Sequence, residues 1–289
     1  MMNEVLVFAP AKINIGLRVL PKRQDGFHNL ESIFQTVSVA DEIKVQAEEG
    51  KGICSVECAD MVLPEKNTLT MAYNEFYNAT GLKKLNIKIT LVKHIPAGGG
   101  LGGGSSDGAA LLRALEKIHG IKLSEEQLDS IASKIGSDVF FFVHCGNNNG
   151  FCAVVTGRGE NVREIKKRND LFFVMIFPDV QSSTKEAYSL VDDLIEKKDS
   201  NFYPPLEDLE KEYNSDVSKW SFKNTFTSAL VLKFPEIGNA FEKLKKTKPV
   251  FSEMSGSGST IFGIYASKAE AEEAAKILND EGFKCVVTQ

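Results

Sequence analysis

The stretch Pro96-Ala97-Gly98-Gly99-Gly100-Leu101-Gly102-Gly103-Gly104-Ser105-Ser106-Asp107 has the composition of a loop that can hold an anion. Without β-carbons its backbone can take positive φ and turn successive N–H groups inward. A helix starting behind it would add unpaired N–H donors and the positive end of its dipole. That geometry holds phosphate. Lys12 and Asn14 alternate with Ile13 and Ile15 and so share one polar face, either a cation offered to a ligand or a solvated strand edge. Phe27 and His28 follow Asp25-Gly26 in a polar turn, where packing and ligand contact are both open to them. Asp138 stands directly before the apolar run Val139 to Val143, where a carboxylate must cap a helix, pair with a cation or act as a base.

Three readings compete for the glycine stretch. A Walker A loop requires Lys and Ser/Thr after its last glycine, and here Ser105 and Ser106 follow Gly104, so the lysine is missing. Gly98, Gly100 and Gly103 satisfy the dinucleotide fingerprint, but that unit returns to a strand after its helix, whereas this chain opens a second helix at the capping box Ser124–Gln127. A flexible linker would not be flanked tightly by an apolar strand and an amphipathic helix.

The flanking elements are legible from periodicity. Leu85, Ile87, Ile89 and Leu91 alternate with polar residues as in a half-buried strand, while Leu111, Leu112, Leu115 and Ile118 follow helical spacing. Strands are expected at Val5 to Phe8, from Ile13 to Val19 beyond Pro10, and at Ile33 to Val39, Glu42 to Ala47 and Ile53 to Cys58. Asn67 can cap a helix with the stripe Leu69, Ala72, Tyr73, Phe76, Tyr77, and the helix after Ser124 stops at Gly136. Phe151 to Thr156 and Leu171 to Phe177 read as strands, with a domain boundary near 157. Gln181-Ser182-Ser183-Thr184 precedes a helix carrying Ala187, Leu190, Val191 and Leu194. The polar stretch from Lys197 to Lys219 is expected to include a mobile loop. A helix after Pro235, a strand at Ile261 to Tyr265, a helix from Lys268 to Leu278 and a strand from Phe283 to Val287 complete an α+β pattern.

With 289 residues, 43% hydrophobic and 25% charged, the chain has the composition of a globular protein long enough for two domains. A net charge of -5 argues against a generic nucleic-acid surface. Lys166, Lys167 and Arg168 read as a solvated loop. No apolar run approaches the roughly 18 residues of a membrane span and no basic leader opens the chain, so a cytoplasmic protein is expected. Five scattered cysteines suit a reducing compartment, and a structural zinc site is not expected of Cys54 and Cys58, which lack a second ligand pair nearby.

Pro10-Ala11-Lys12-Ile13-Asn14, Pro96 to Ser106, and Met254-Ser255-Gly256-Ser257-Gly258 together resemble the three motifs of the GHMP small-molecule kinases, in order and across the whole chain. Asp25-Gly26-Phe27-His28, Gly136-Ser137-Asp138-Val139 and Gln181 to Thr184 are similar to the branch that acts on a cytidyl diphosphate alcohol. The resemblance implies an α+β two-domain fold: residues 1–156 an N-terminal ATP-binding domain with a left-handed crossover, 157–289 a ferredoxin-like C-terminal domain, and substrate in the cleft between them. It implies ATP as phosphoryl donor with Mg2+, its ligands unknown, and small-molecule partners only, with no nucleic acid or membrane, in a monomer or weak homodimer. Asp138 would be the base and Lys12 its polarising partner. Pro96, Ala97, Gly98, Gly99, Gly100, Leu101, Gly102, Gly103, Gly104, Ser105 and Ser106 would wrap ATP, and Asn14, Phe27, His28 and Thr184 would face the alcohol. Phosphoryl transfer needs little more than this: positioning, cations near the spreading charge and one proton acceptor.

Three positions depart from the family pattern. Phe27 replaces a usual tyrosine, which keeps stacking but loses a hydroxyl. Phe140 replaces a common proline. Asn224-Thr225-Phe226 stands where Asn-Asp-Leu-Glu is expected, so no role is carried over there. Another kinase of the family, acting on mevalonate, phosphomevalonate or homoserine, and an inactive nucleotide-binding regulator are the competing readings. The turn at Phe27-His28 speaks against the first, and the presence of both Lys12 and Asp138 against the second.

Overall fold

A computed structural model of the chain describes residues 3–145, 150–180, 182–196 and 203–289. Gln181, the side chain of Leu194 and the 197–202 part of the polar stretch, all assigned above, lie outside the described residues. In chain order the elements are β1 (Glu4–Lys22), β2 (His28–Glu48), β3 (Cys54–Cys58), α1 (Thr68–Thr80), β4 (Asn86–Val92), α2 (Gly103–His119), α3 (Glu125–Ile135) and α4 (Ser137–His144). Next come β5 (Cys152–Gly157), β6 (Asn161–Ile165), β7 (Phe172–Ile176), α5 (Thr184–Glu196), α6 (Leu209–Tyr213) and α7 (Thr227–Lys233). The last are α8 (Pro235–Lys246), β8 (Phe251–Met254), β9 (Ile261–Tyr265), α9 (Lys268–Asp280) and β10 (Cys285–Thr288). Two compact units interleave along the sequence, one holding Met1–Ala11, Val39–Ile95 and Gly102–Asn149, the other Lys12–Ser38, Pro96–Leu101 and Gly150–Gln289.

In the first unit the end of β2 pairs antiparallel with β4, from Glu42 opposite Val92 to Glu48 opposite Asn86. On its other side β4 pairs parallel with β3, so α1 is the crossover that parallel neighbours require. Ile87, Ile89 and Leu91 are buried, as the alternation predicts. Helix α1 buries Leu69, Ala72, Tyr73, Phe76 and Tyr77, each large side chain contributing roughly 1.5–3 kcal/mol. Tyr73 donates to the Leu85 carbonyl at 2.8 Å, so its hydroxyl is not buried unsatisfied. Helix α2 buries Leu111, Leu112, Leu115 and Ile118 and ends at Gly120 in the left-handed region.

In the second unit Leu30 to Gln35 of β2 pair antiparallel with β5, and β5 with β6. A separate antiparallel sheet runs β10-β7-β9-β8, the strand order of a ferredoxin-like fold. Helices α8 and α9 pack on it through Ile237, Ala240 and Leu244 and through Ala271, Ala274, Ala275 and Leu278. All of these apolar faces recur at helical spacing.

The structure corrects several local expectations. Pro10 does not divide β1 into two strands; the strand passes through it, and residues 9–17 are buried continuously, so Lys12 and Asn14 are no solvated edge. Likewise β2 is one strand where two were expected. The described part of the polar stretch is folded rather than loose: Leu209 and Tyr213 are fully buried, and the Tyr213 hydroxyl donates to Gln35 Oε1 at 2.6 Å. Arg168 is not merely solvated. It donates to the carbonyls of Tyr213 (3.0 Å) and Ser215 (2.7 Å) and lies over the Trp220 ring, which ties that polar stretch down.

Candidate active site

In the second unit, β1 and the glycine stretch meet at Lys12. Its ammonium donates to Asn14 Oδ1 at 2.7 Å and to the Gly100 carbonyl at 3.0 Å, and its backbone N–H donates to Leu101. Nζ also stands 4.6 Å from the centre of the Phe34 ring. A lysine buried in this way needs such partners, because removing the ammonium from water is costly. Asn14 in turn donates through Nδ2 to Ser32 Oγ and through its backbone to Ser255 Oγ, both at 3.2 Å. The Ser255 hydroxyl closes the circuit on the Gly100 carbonyl at 3.1 Å. Thus the first and third motifs, far apart in sequence, grip the second motif at one carbonyl.

Glycine is required at that grip. Gly100 has φ +75°, and a Cβ there would lie 2.1 Å from the Ser255 carbonyl oxygen. Asn224 holds the opposing segment, donating through Nδ2 to the carbonyls of Met254 (2.7 Å) and Gly256 (2.8 Å). Its backbone N–H donates to Glu253 Oε2 at 3.1 Å; burial raises the Glu253 carboxyl. Sequence reasoning passed over Asn224 because the surrounding motif departs from pattern. The available signal was a polar residue between Phe222 and Phe226, both buried.

The same unit holds the residues assigned to the alcohol. Phe27 is half exposed, with the Arg158 guanidinium 4.6 Å from its ring centre. His28 is buried instead, with Nδ1 2.8 Å from the Leu20 carbonyl oxygen and Nε2 3.0 Å from Asp192 Oδ1. The Leu20 carbonyl and an ionised Asp192 carboxylate both only accept, so either contact is a hydrogen bond only when the ring nitrogen facing it carries a hydrogen. The His28 ring stacks on Tyr188 of α5 at 5.2 Å. Thr184 opens α5, exposed, with its hydroxyl 3.2 Å from Ser257 Oγ. Arg158 and Tyr188 went unassigned in the sequence, since neither carries a motif.

In the first unit the stretch continues as the start of α2. Gly102, at φ +71°, is the N-cap and provides no side-chain hydrogen bond. The backbone N–H groups of Gly103, Gly104 and Ser105 precede the first intrahelical donor, since the earliest bond runs from the Ser106 N–H to the Gly102 carbonyl. Ser106 is buried and donates to the Pro10 carbonyl at 2.7 Å, anchoring the helix start to β1. Gly104 is exposed, and a Cβ there would meet nothing closer than Thr68 Oγ1 at 3.6 Å. An anion can approach that turn closely.

Asp138 lies in the first unit too, as the second residue of α4. The N-cap is Gly136, so capping by Asp138 does not describe this helix end. A half-buried carboxylate in a first turn is favoured by the helix dipole. Behind it Phe140, Phe141 and Phe142 are buried, and Arg113 of α2 donates to the Phe142 carbonyl at 3.1 Å, joining α4 to the glycine helix.

Known proteins share this architecture. The family description "GHMP kinases N terminal domain" matches residues 67–146, and "GHMP kinases C terminal" matches 206–284. The chain is 34% identical to 4-diphosphocytidyl-2-C-methyl-D-erythritol kinase of Treponema pallidum subsp. pallidum, covering 99% of this chain and 98% of the relative. A crystal structure of 4-(cytidine 5'-diphospho)-2C-methyl-D-erythritol kinase superposes with TM-score 0.78 at 26% identity, covering 98% of each chain. Homoserine kinase from Cytophaga hutchinsonii, at 19% identity, TM-score 0.69 and coverage of 99% and 94%, shares the fold alone. The chain belongs to the GHMP kinases, and within them to the 4-diphosphocytidyl-2-C-methyl-D-erythritol kinases.

Proposed function

We propose that the protein transfers the γ-phosphoryl group of ATP to the 2-hydroxyl of 4-diphosphocytidyl-2-C-methyl-D-erythritol, a step of non-mevalonate isoprenoid precursor synthesis. The observation that carries this reading is 34% identity over nearly the whole length of a kinase of that name, joined to a glycine stretch that opens α2 without a side-chain cap.

Pro96 to Ser106 wrap the nucleotide, with the first-turn N–H groups of α2 drawing the phosphates. Asp138 accepts the proton of the attacking hydroxyl, and the Lys12 ammonium favours its alkoxide character. Asn14, Phe27, His28 and Thr184 serve the alcohol; the exposed Phe27 ring suits stacking on a base, and buried His28 sets the position of Tyr188 and Asp192. No cluster of three His, Cys, Asp or Glu that could cage a metal stands among the described residues. Mg2+ is proposed only as the companion of ATP, since it commonly keeps several waters and is held by substrate phosphates with one or two carboxylates. Bound there, it would neutralise charge on the transferring group. By the family pattern residues 1–156 are assigned to the ATP-binding part and 157–289 to the C-terminal part, although Lys12–Ser38 and Pro96–Leu101 fold within the compact unit that holds Gly150–Gln289. The reading is of a cytoplasmic enzyme of small-molecule substrates, monomeric or weakly dimeric, whose acidic balance, with pI near 5.6, speaks against a nucleic-acid surface. Among the described residues no helix is long and apolar enough to cross a membrane.

The test is ATP consumption with the cytidyl diphosphate alcohol, mevalonate and homoserine side by side. Turnover with the first alone is expected. Turnover with either of the others would reassign the acceptor, and nucleotide binding without turnover would leave a regulator.

A further inference from the structure

Three side chains that the proposed chemistry does not use are linked at both ends of the glycine stretch. Asp41, fully buried in β2, accepts through Oδ1 from the backbone N–H of His94 (2.6 Å) and of Ile95 (2.8 Å), the residues that lead into it. Its Oδ2 receives the ammonium of Lys93. The same ammonium donates to Oδ2 of Asp107, 2.9 Å away in α2, directly after Ser106. One cation therefore joins the entry of the stretch to its exit. A Cβ on Gly103 would stand 3.0 Å from Ile95 Cγ2 and 3.3 Å from Lys93 Nζ, so the helix start is seated on this cluster.

Such a cluster is a poor stability device. Burial pushes the Asp107 carboxyl up to about 7 against the attraction of Lys93, with Asp41 adding repulsion. Burial alone would lower Lys93, but the two carboxylates raise it, so it stays a cation. Asp107 Oδ1 is buried with no hydrogen-bond partner among the described residues. Well-packed apolar groups often replace buried ion pairs without loss, and what a charged set gives in exchange is defined distance and orientation.

We propose that Asp41, Lys93 and Asp107 are positioning residues, a clamp that sets where the first-turn N–H groups of α2 meet the phosphates of ATP. This rests on the reading that α2 receives those phosphates. The clamp touches no reacting atom. Its removal therefore weakens nucleotide binding and leaves the alcohol side unchanged.

Asp107→Leu is the direct variant. It cuts the exit tether, keeps the Lys93–Asp41 pair intact and removes a desolvated carboxyl, so the melting temperature should hold or rise. The affinity for ATP should fall roughly tenfold or more, the loss expected of a charged hydrogen bond, with KM for the alcohol within about twofold. Asp107→Asn, which still accepts from Lys93, should restore most of the loss. Gly104→Asp is run in parallel, because it opposes phosphate directly without touching the clamp. Loss of affinity in Gly104→Asp beside wild-type affinity in Asp107→Leu overturns the clamp and leaves the nucleotide loop standing. Wild-type affinity in Gly104→Asp overturns the loop reading and the clamp with it. If Asp107→Leu fails to fold, the Asp107→Asn and Lys93→Arg pair decides: full ATP affinity in the first with a loss in the second supports the clamp, and equal affinity in both overturns it.

Discussion

Four helices of the first unit begin in two different ways. Helices α1 and α3 close their own N-termini: Asn67 accepts from Leu69 and Thr70 while Thr70 accepts from Asn67, and Ser124 and Gln127 exchange bonds in the same reciprocal manner. Helices α2 and α4 begin at Gly102 and Gly136, with no side-chain cap. The difference separates two uses of one element. Within this unit the capped pair satisfies orphan N–H groups with its own side chains, while the uncapped start of α2 leaves them for the ligand proposed above; α7 and α8 also start without a side-chain cap, so a bare start alone does not mark a ligand. On this view the glycines before α2 and α4 are not failures of capping. They leave room at helix ends where Gly104 admits an anion and Asp138 presents a carboxylate.

The largest expected effect lies on α4. Asp138→Asn keeps shape and charge-free polarity while removing proton acceptance, so turnover should drop roughly 10²- to 10⁴-fold, with ATP affinity and melting temperature nearly unchanged. Lys12→Met should also lower turnover, and the double variant should lose less than the two losses combined, since both are assigned to one hydroxyl. Near-wild-type turnover in Asp138→Asn would make α4 a merely uncapped helix and end the comparison.

A second effect concerns pH. The folded Asp107 carboxyl sits at about 7, above the roughly 3.9 of an unfolded aspartate, so the folded chain holds a proton that the unfolded chain releases. Stability from this group is complete below about pH 4 and is lost as pH rises through about 7. Denaturant unfolding should therefore show Asp107→Asn gaining on the wild type between about pH 5 and pH 8, by on the order of a few kcal/mol. A constant gap across that range would mean the carboxyl is ionised throughout.

Gly104→Asp comes next. An acidic residue in a first turn favours the helix, so the fold should tolerate it, while like charge should weaken ATP binding by roughly 10- to 100-fold. Calorimetric titration with a non-hydrolysed nucleotide reads this directly, and unchanged affinity would show that the phosphates are not at α2. The smallest effect is on the packing helices. Ser124→Ala should cost about 1 kcal/mol of stability with no change in kinetic constants. A kinetic change there would blur the division between the two kinds of helix start.

Much of this was legible in the chain itself. The alternation from Leu85 to Leu91, the glycines, and the stripe from Leu111 to Ile118 describe β4, the loop and α2 with small errors at the ends, because each is a local pattern of periodicity or backbone freedom. The caps of α1 and α3 span three residues and were equally readable. Misreadings arose where context overrode local preference. Pro10 reads as a strand end, yet β1 continues past it, and no local pattern in the polar stretch foretells the helical turns after 203, where Tyr213 is buried and stacks on Trp220.

Sequence alone determined which residue types could do chemistry, Lys12, Asp138 and the glycines, and which short elements carry them, because those properties depend on neighbours within a few positions. Tertiary structure alone decided what each polar group meets. Asp41 reaches Lys93 across 52 positions, Asn224 reaches Met254 across 30, and Asn14 reaches Ser255 across 241. Burial makes those meetings obligatory, since a desolvated charge or amide must find a partner. No local pattern names the partner: it is chosen by which strands and helices pack together.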